Sequence, residues 1–327
     1  MFGNYLFDTV YVNDNIGRTI ARRLSVRIRY RLATGSINKA WDDVLAIYRL
    51  AEQHRETVWC FAPVMLNNAI LGVADRSAEA VVIHSDWASD EIRRRSEAIM
   101  PFQRPFSEDE IRLVFRNERL MALDFIQFIA NEGLNRALHC CPPGRQHDQV
   151  VENWFEKRAA RLARVGLAMV EANQMFDNAE HRFFNNLPEP KGDGFSNYEL
   201  FELFVWRGIS GGAGIIMGRL LSGFPFFCMQ HQRDSFTSRQ ANAALTHLVF
   251  ALEAYHRDKG NYPEALDNLL GHYIDEMPLD PFSGMPFRYI IEPEGYLLYS
   301  VGPNGIDEEG RGSGDIPRGD DIRRRMP

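Results

Sequence analysis

Between Gly302 and Asp321 the chain gathers Asn304, Asp307, Glu308, Glu309, Asp315, Asp320 and Asp321 among six glycines. Carboxylate and amide oxygens on a pliable loop are the donors that Ca2+ takes, ~6–8 at a time. The same composition also describes a disordered acidic tail. Taken by itself, composition favours the tail.

Other groupings carry less chemistry. His139, Cys140, Cys141 and His147 are zinc-type ligands, but two adjacent cysteines before Pro142 and Pro143 do not give the paired spacing of a structural zinc site. Glu118, Arg119, Asp124 and Glu132 fall on one predicted helix. Paired carboxylates do general acid–base work, yet charged residues along a long helix are mostly solvated or ion-paired. Gly208–Gly218 holds five glycines with no Lys-Ser/Thr after them, which reads as close helix packing and not as a phosphate loop. Arg18, Arg22, Arg23, Arg27, Arg29 and Arg31 make a basic first helix. Few aromatics accompany them and the net charge is −7, so they read as a solvated face paired with acids elsewhere, and not as a nucleic-acid or anionic-lipid surface. No Ser-His-Asp or Cys-His arrangement is supported by local sequence.

These residues need elements to position them. The 327 residues suggest two domains. Ile16, Ile20, Leu24, Ile28 and Leu32 recur every four residues, predicting a helix over Asn15–Leu32. Trp41, Val44, Leu45, Tyr48 and Leu50 predict another over Asn38–His54, and a third spans Val58–Val73. The alternation is tetratricopeptide-like, without a clean repeat period. Ser107 and Glu110 form a capping box opening a helix to about Asn131. Cys140–Gly144 is a break, Asp148–Phe184 a helix, Leu187–Asn197 a loop and Tyr198–Arg207 a helix. No run reaches ~18 apolar residues; Ile209–Met229 comes nearest and Arg219 interrupts it. Phe2–Val12 is too short and lacks a basic start for a signal peptide. The four cysteines, Cys60, Cys140, Cys141 and Cys228, suggest free thiols.

The final third differs. Leu245, Leu248, Val249, Leu252 and Tyr255 predict a helix over Arg239–Lys259, stopped by Gly260 and Pro263. Two strands follow, with Tyr289 and Ile291 on one and Leu297 and Tyr299 on the next facing the helix, joined at Glu294-Gly295.

Three blocks stand in this region: Gly260-Asn261-Tyr262-Pro263, then Asp280-Pro281-Phe282-Ser283-Gly284-Met285-Pro286-Phe287-Arg288-Tyr289, then Tyr299-Ser300-Val301-Gly302-Pro303-Asn304-Gly305. In order and spacing they resemble the C-terminal globular domain of the major pseudopilin of bacterial type II secretion systems, over roughly residues 233–316. The resemblance implies a long helix on a small antiparallel sheet and a calcium-binding loop. Carried over, the metal ligands would be Ser300, Asn304 and Asp315, the last before Ile316. Asn304 departs from the family's aspartate, and Asp307 would restore a negative ligand, with Glu308 or Glu309 contributing. Pseudopilins begin with an apolar anchoring helix, whereas this pilin-like helix follows about 230 residues of other sequence. Either the domain is reused, or an anchor lies outside this chain.

The expectation is therefore a mostly α chain, α+β overall: an α-helical domain over 1–230 and a pseudopilin-like domain over 231–327. The function expected is a non-catalytic, envelope-associated binding or structural protein with a Ca2+-stabilised module. Its partner would be a protein and not a nucleic acid, and membrane association would come only through an anchor absent from this chain. The alternatives are an enzyme with its site in the helical domain or the interdomain cleft, and a cytoplasmic tetratricopeptide-type scaffold.

Overall fold

A helix whose apolar residues repeat strictly every four positions drifts about 40° around its axis at each step. Five such positions cannot all face one neighbour. The computed structural model shows this directly in α1 (Asn15–Ala33), where Ile28 is buried while Ile16 and Ile20 are exposed. The face that packs is centred on Ala21 and Ile28. The structure describes residues 15–58, 60–132, 165–185, 187, 229–293 and 295–326. The expectations for Cys140, Cys141, Cys228, His139, His147, Gly208–Gly218 and Tyr198–Arg207 lie outside these. Cys60 is buried and forms no disulfide among the described residues.

The chain divides into two compact units, both discontinuous in sequence. The larger comprises residues 15–58, 62–107 and 234–327. Within it α1 is followed by α2 (Ile37–Glu56), α3 (Phe61–Ile83, in this unit from Ala62) and α4 (Ser89–Ile99). Gly35, at φ 72°, makes the turn between α1 and α2. Trp41, Val44, Ile47 and Tyr48 of α2 pack with Ile70, Leu71, Ala74 and Val81 of α3 and with Ile92 and Ile99 of α4. Phe250 and Ala254 of the later long helix complete this core. The third helix runs ten residues beyond the Val73 expected from its apolar pattern, because the charges that follow, Asp75 and Glu79, are buried and not solvated.

The smaller unit holds α5 (Glu108–Glu132) and α6 (Val165–Phe184). Helix α5 begins one residue after Ser107, where the capping pattern places it. Ile126 packs on Ala168 and Ala172, and Phe115 lies edge-on to Phe183 at 5.1 Å.

The long helix α7 (Met229–Lys259) stops as expected, with Gly260 at φ 78° as the residue past its end. Leu245, Leu248 and Leu252 are fully buried against Phe287, Tyr296, Leu298 and Met326. The sheet is antiparallel in the order β1 (Arg288–Glu292), β2 (Gly295–Ser300), β3 (Ile322–Met326). The chain is thus mostly α, with a small three-stranded sheet.

Two details of the sheet correct the sequence reading. Tyr289 pairs with Leu298 and Ile291 with Tyr296, so odd-numbered β1 residues share a face with even-numbered β2 residues. Tyr296 and Leu298 therefore face α7, and Leu297 and Tyr299 face the other way, since neighbouring strand residues point to opposite sides. The connection is one residue earlier than Glu294-Gly295, because Gly295 already pairs with Glu292. The third strand went unseen. Ile322-Arg323-Arg324-Arg325-Met326 reads as a basic tail, yet it pairs along β2.

Candidate functional site

Both faces of β2 are buried, so something must cover the face turned away from α7. The loop from Gly302 to Asp321 does so. Leu297 packs beneath Gly310, whose φ of 79° and absent Cβ admit that contact. Tyr299 Oη donates to Asp307 Oδ1 at 2.9 Å. Gly302, at φ 69°, lies so close to Asp320 that a Cβ there would strike the Asp320 carbonyl. The acidic, glycine-rich stretch is a folded cover and not a solvated tail.

Asp280 anchors the start of that cover. It is 1% exposed, and its carboxylate accepts from Ser300 Oγ (2.8 Å), from the Val301 N–H (3.1 Å) and from the Phe282 N–H (3.1 Å). One side chain thus joins the Asp-Pro-Phe-Ser-Gly turn to the Tyr-Ser-Val-Gly strand end.

The four residues expected to hold a metal each have different hydrogen-bond partners. Ser300 is buried and donates to Asp280. Asn304 Oδ1 accepts from the Ile306 N–H and its Nδ2 donates to Glu308 Oε1 at 2.7 Å. Asp307 accepts from Tyr299 and pairs with Arg288 at 3.1 Å. Burial raises the Asp307 pKa, but the Glu309 N–H, Tyr299 and Arg288 outweigh it and hold the carboxyl below its ordinary range. Asp315 is bridged by Arg323 on β3, which lowers its pKa in the same way.

A different trio converges. Glu308, Asp320 and Asp321 each offer a carboxylate oxygen, and these oxygens lie within 4.8 Å of one another. Backbone donors hold the side chains in place. The Glu308 and Gly310 N–H groups donate to Asp321 Oδ2 at 3.2 and 2.8 Å. The Asn304 N–H donates to Asp320 Oδ2 at 3.0 Å, and the Asp320 N–H to Glu308 Oε2 at 3.1 Å. The second oxygens of both aspartates, Asp320 Oδ1 and Asp321 Oδ1, are buried with no hydrogen-bond partner. Asp321 is only 5% exposed.

The electrostatics follow from this packing. Burial, with the Glu308 charge adding to it, pushes the Asp321 carboxyl up to about 6, and it raises Asp320 too. Glu308 moves down, chiefly through the Asp320 N–H. Burial and the Glu308 charge therefore act on the two aspartates.

Sequence reasoning named these acids but did not assemble them. One signal was available. The chain has two Asp-Ile pairs, Asp315-Ile316 and Asp321-Ile322. Ile316 is 99% exposed, whereas Ile322 opens β3 and packs on the core. The buried aspartate is the one before the strand.

The helical part of the same unit buries Asp43, Asp75, Glu79 and Glu253; two of these, on α3, were not anticipated and meet distant arginines. Asp75 Oδ2 pairs with Arg239 Nη1 at 2.5 Å, and Asp75 Oδ1 accepts from Tyr48 Oη and Gln103 Nε2, each at 2.7 Å. Glu79 Oε1 accepts from Arg324 Nε at 2.8 Å and Thr246 Oγ1 at 2.6 Å. Ser96 Oγ and His247 Nδ1 lie 2.9 Å apart, and burial lowers the His247 pKa. Among the described residues no carboxylate orients this imidazole, so the pair lacks the third group that activates a hydroxyl. On the helix singled out for paired carboxylates, Glu118 accepts from the Phe61 N–H and Arg119 pairs with Asp177. No helix among the described residues is long and apolar enough to cross a membrane. No protein-family model, characterised protein or solved structure matches the chain.

Proposed function

We propose that this chain is a non-catalytic, envelope-associated binding protein whose C-terminal module is pseudopilin-like and stabilised by calcium. The cation would sit among Glu308, Asp320 and Asp321, in place of the Ser300, Asn304, Asp307 and Asp315 set expected from the sequence. The observation that carries this is the pair of buried, partnerless oxygens, Asp320 Oδ1 and Asp321 Oδ1, in a three-carboxylate cluster. Burying like charges without a counterion is costly, and an oxygen-loving divalent cation removes that cost. Ca2+ suits the donor set because every side-chain donor is a hard carboxylate, with no nitrogen or sulfur among them.

The bound cation would pin the cover onto β2 and so keep β3 in register. The role of the module would be to present this braced surface to a protein partner. The test is thermal unfolding of the full chain in millimolar calcium and in chelator. Wild type should melt higher in calcium, by mass action on the folded state, and Asp321→Asn should lose that difference. Equal melting of wild type in both conditions would reject the reading.

A further inference from the structure

Helix α1 has the sequence NIGRTIARRLSVRIRYRLA, which contains no acid. Two of its arginines are neutralised by α2: Arg27 and Arg31 both bridge Asp43, at 2.6 and 2.7 Å. Arg18, Arg22, Arg23 and Arg29 are exposed, and none forms an ion pair among the described residues. Besides Thr19 and Ala33, the remaining exposed side chains on this helix are large apolar or aromatic ones. Ile16 is 57% exposed, Ile20 41%, Val26 67% and Tyr30 69%.

Geometry gathers these into one surface. At ~100° per residue, Ile16, Ile20, Val26 and Tyr30 fall within an arc of about 120°. Thr19, Arg23 and the Asp43-paired Arg27 lie inside the arc, and Arg18, Arg22 and Arg29 line one edge. Ala21 and Ile28 point the opposite way, into the core. The helix is thus amphipathic twice over: one side is packed in the protein, and the other offers a cationic rim around an apolar strip.

We propose that this face of α1 docks on an anionic phospholipid surface. Charge complementarity selects a polyanion, since four unpaired guanidinium groups stand together on a chain whose net charge is −7. The apolar strip selects lipid over nucleic acid: Val26, Ile16 and Ile20 have nothing to read on a phosphate backbone, whereas acyl chains at the headgroup boundary bury them. Tyr30 supplies the amphipathic ring that sits at such a boundary. The proposal gives the chain a route to a membrane that needs no spanning anchor. It stands apart from the calcium reading, because α1 contributes no atom to the carboxylate cluster.

The test is co-sedimentation of the full chain with vesicles of phosphatidylcholine alone and of equimolar phosphatidylcholine and phosphatidylglycerol, in chelator, at low and high salt. Binding should be confined to the anionic vesicles and should weaken with salt. Each basic residue near such a surface changes partitioning roughly fivefold, so Arg18→Glu, Arg22→Glu and Arg29→Glu combined should lower it by at least about a hundredfold. Val26→Ser with Tyr30→Ser should weaken it while leaving every charge in place. These positions are exposed, and unchanged melting curves would confirm that the variants fold. Three results would overturn the proposal: no binding to anionic vesicles at low salt, equal binding by the triple variant, or a labelled DNA duplex bound more tightly than the vesicles.

Discussion

Two groups of carboxylates in the larger unit, a buried pair on α3 and a partly buried trio in the loop over β2, are treated differently. On α3, Asp75 and Glu79 are each matched by a guanidinium delivered from far along the sequence, Arg239 on α7 and Arg324 on β3. Tyr48, Gln103 and Thr246 donate the remaining hydrogen bonds. In the loop over β2, Glu308, Asp320 and Asp321 accept from backbone N–H groups and from Asn304 but form no ion pair among the described residues. Asp320 Oδ1 and Asp321 Oδ1 are buried without a hydrogen-bond partner, whereas Asp75 Oδ2, likewise without one, lies against Arg239. A buried carboxylate whose counter-charge comes from the protein is part of the scaffold.

Substitutions should separate the two sets by sign. Arg239→Leu leaves Asp75, which is fully buried, without its counter-charge, and should cost about 3–5 kcal/mol in denaturant unfolding. Adding Asp75→Leu should restore only part of that loss: it removes the lone charge but leaves buried Tyr48 Oη and Gln103 Nε2 without their acceptor. Leu252→Ala, which opens a cavity between α7 and the sheet, should cost about 2–5 kcal/mol. Asp321→Asn keeps an acceptor for the Glu308 and Gly310 N–H groups and removes a repelling charge. In chelator it should therefore be at least as stable as wild type. A large loss in that variant would place the loop acids with the scaffold and erase the contrast.

A smaller effect is readable in pH. The Asp321 carboxyl is raised to about 6 in the folded chain, above its ordinary value of 3.8. Between those values the folded state binds more protons than the unfolded state, so stability falls as pH rises through that window. Melting of wild type in chelator, measured relative to Asp321→Asn, should decline from about pH 4 to about pH 6 and then level. Calcium should flatten the decline.

Much of the C-terminal region was legible in the sequence. The Leu245, Leu248 and Leu252 stripe, the Gly260 stop and the Asp280 turn all act locally, through helix periodicity, positive φ and side-chain capping of backbone. What was not legible depends on distant partners. Strand β3 carries three arginines in a row, and each is made tolerable by a residue that local pattern cannot supply: Asp315 for Arg323, Glu79 for Arg324 and Glu292 for Arg325. The faces of β2 were misassigned because Leu297 and Tyr299 are indeed buried, but under the loop and not under α7. The acidic loop itself has the composition of a disordered tail. Its fold rests on close approaches, such as Gly302 against Asp320, that show only in three dimensions.

The central claim is that Glu308, Asp320 and Asp321 await an external cation. Calorimetric titration of calcium into the chelator-stripped full chain tests it most directly, with wild type and Asp321→Asn run side by side. The account predicts one calcium bound per wild-type chain and none by Asp321→Asn while Ser300→Ala still binds. Equal binding by wild type and Asp321→Asn, or no heat from wild type, would contradict it.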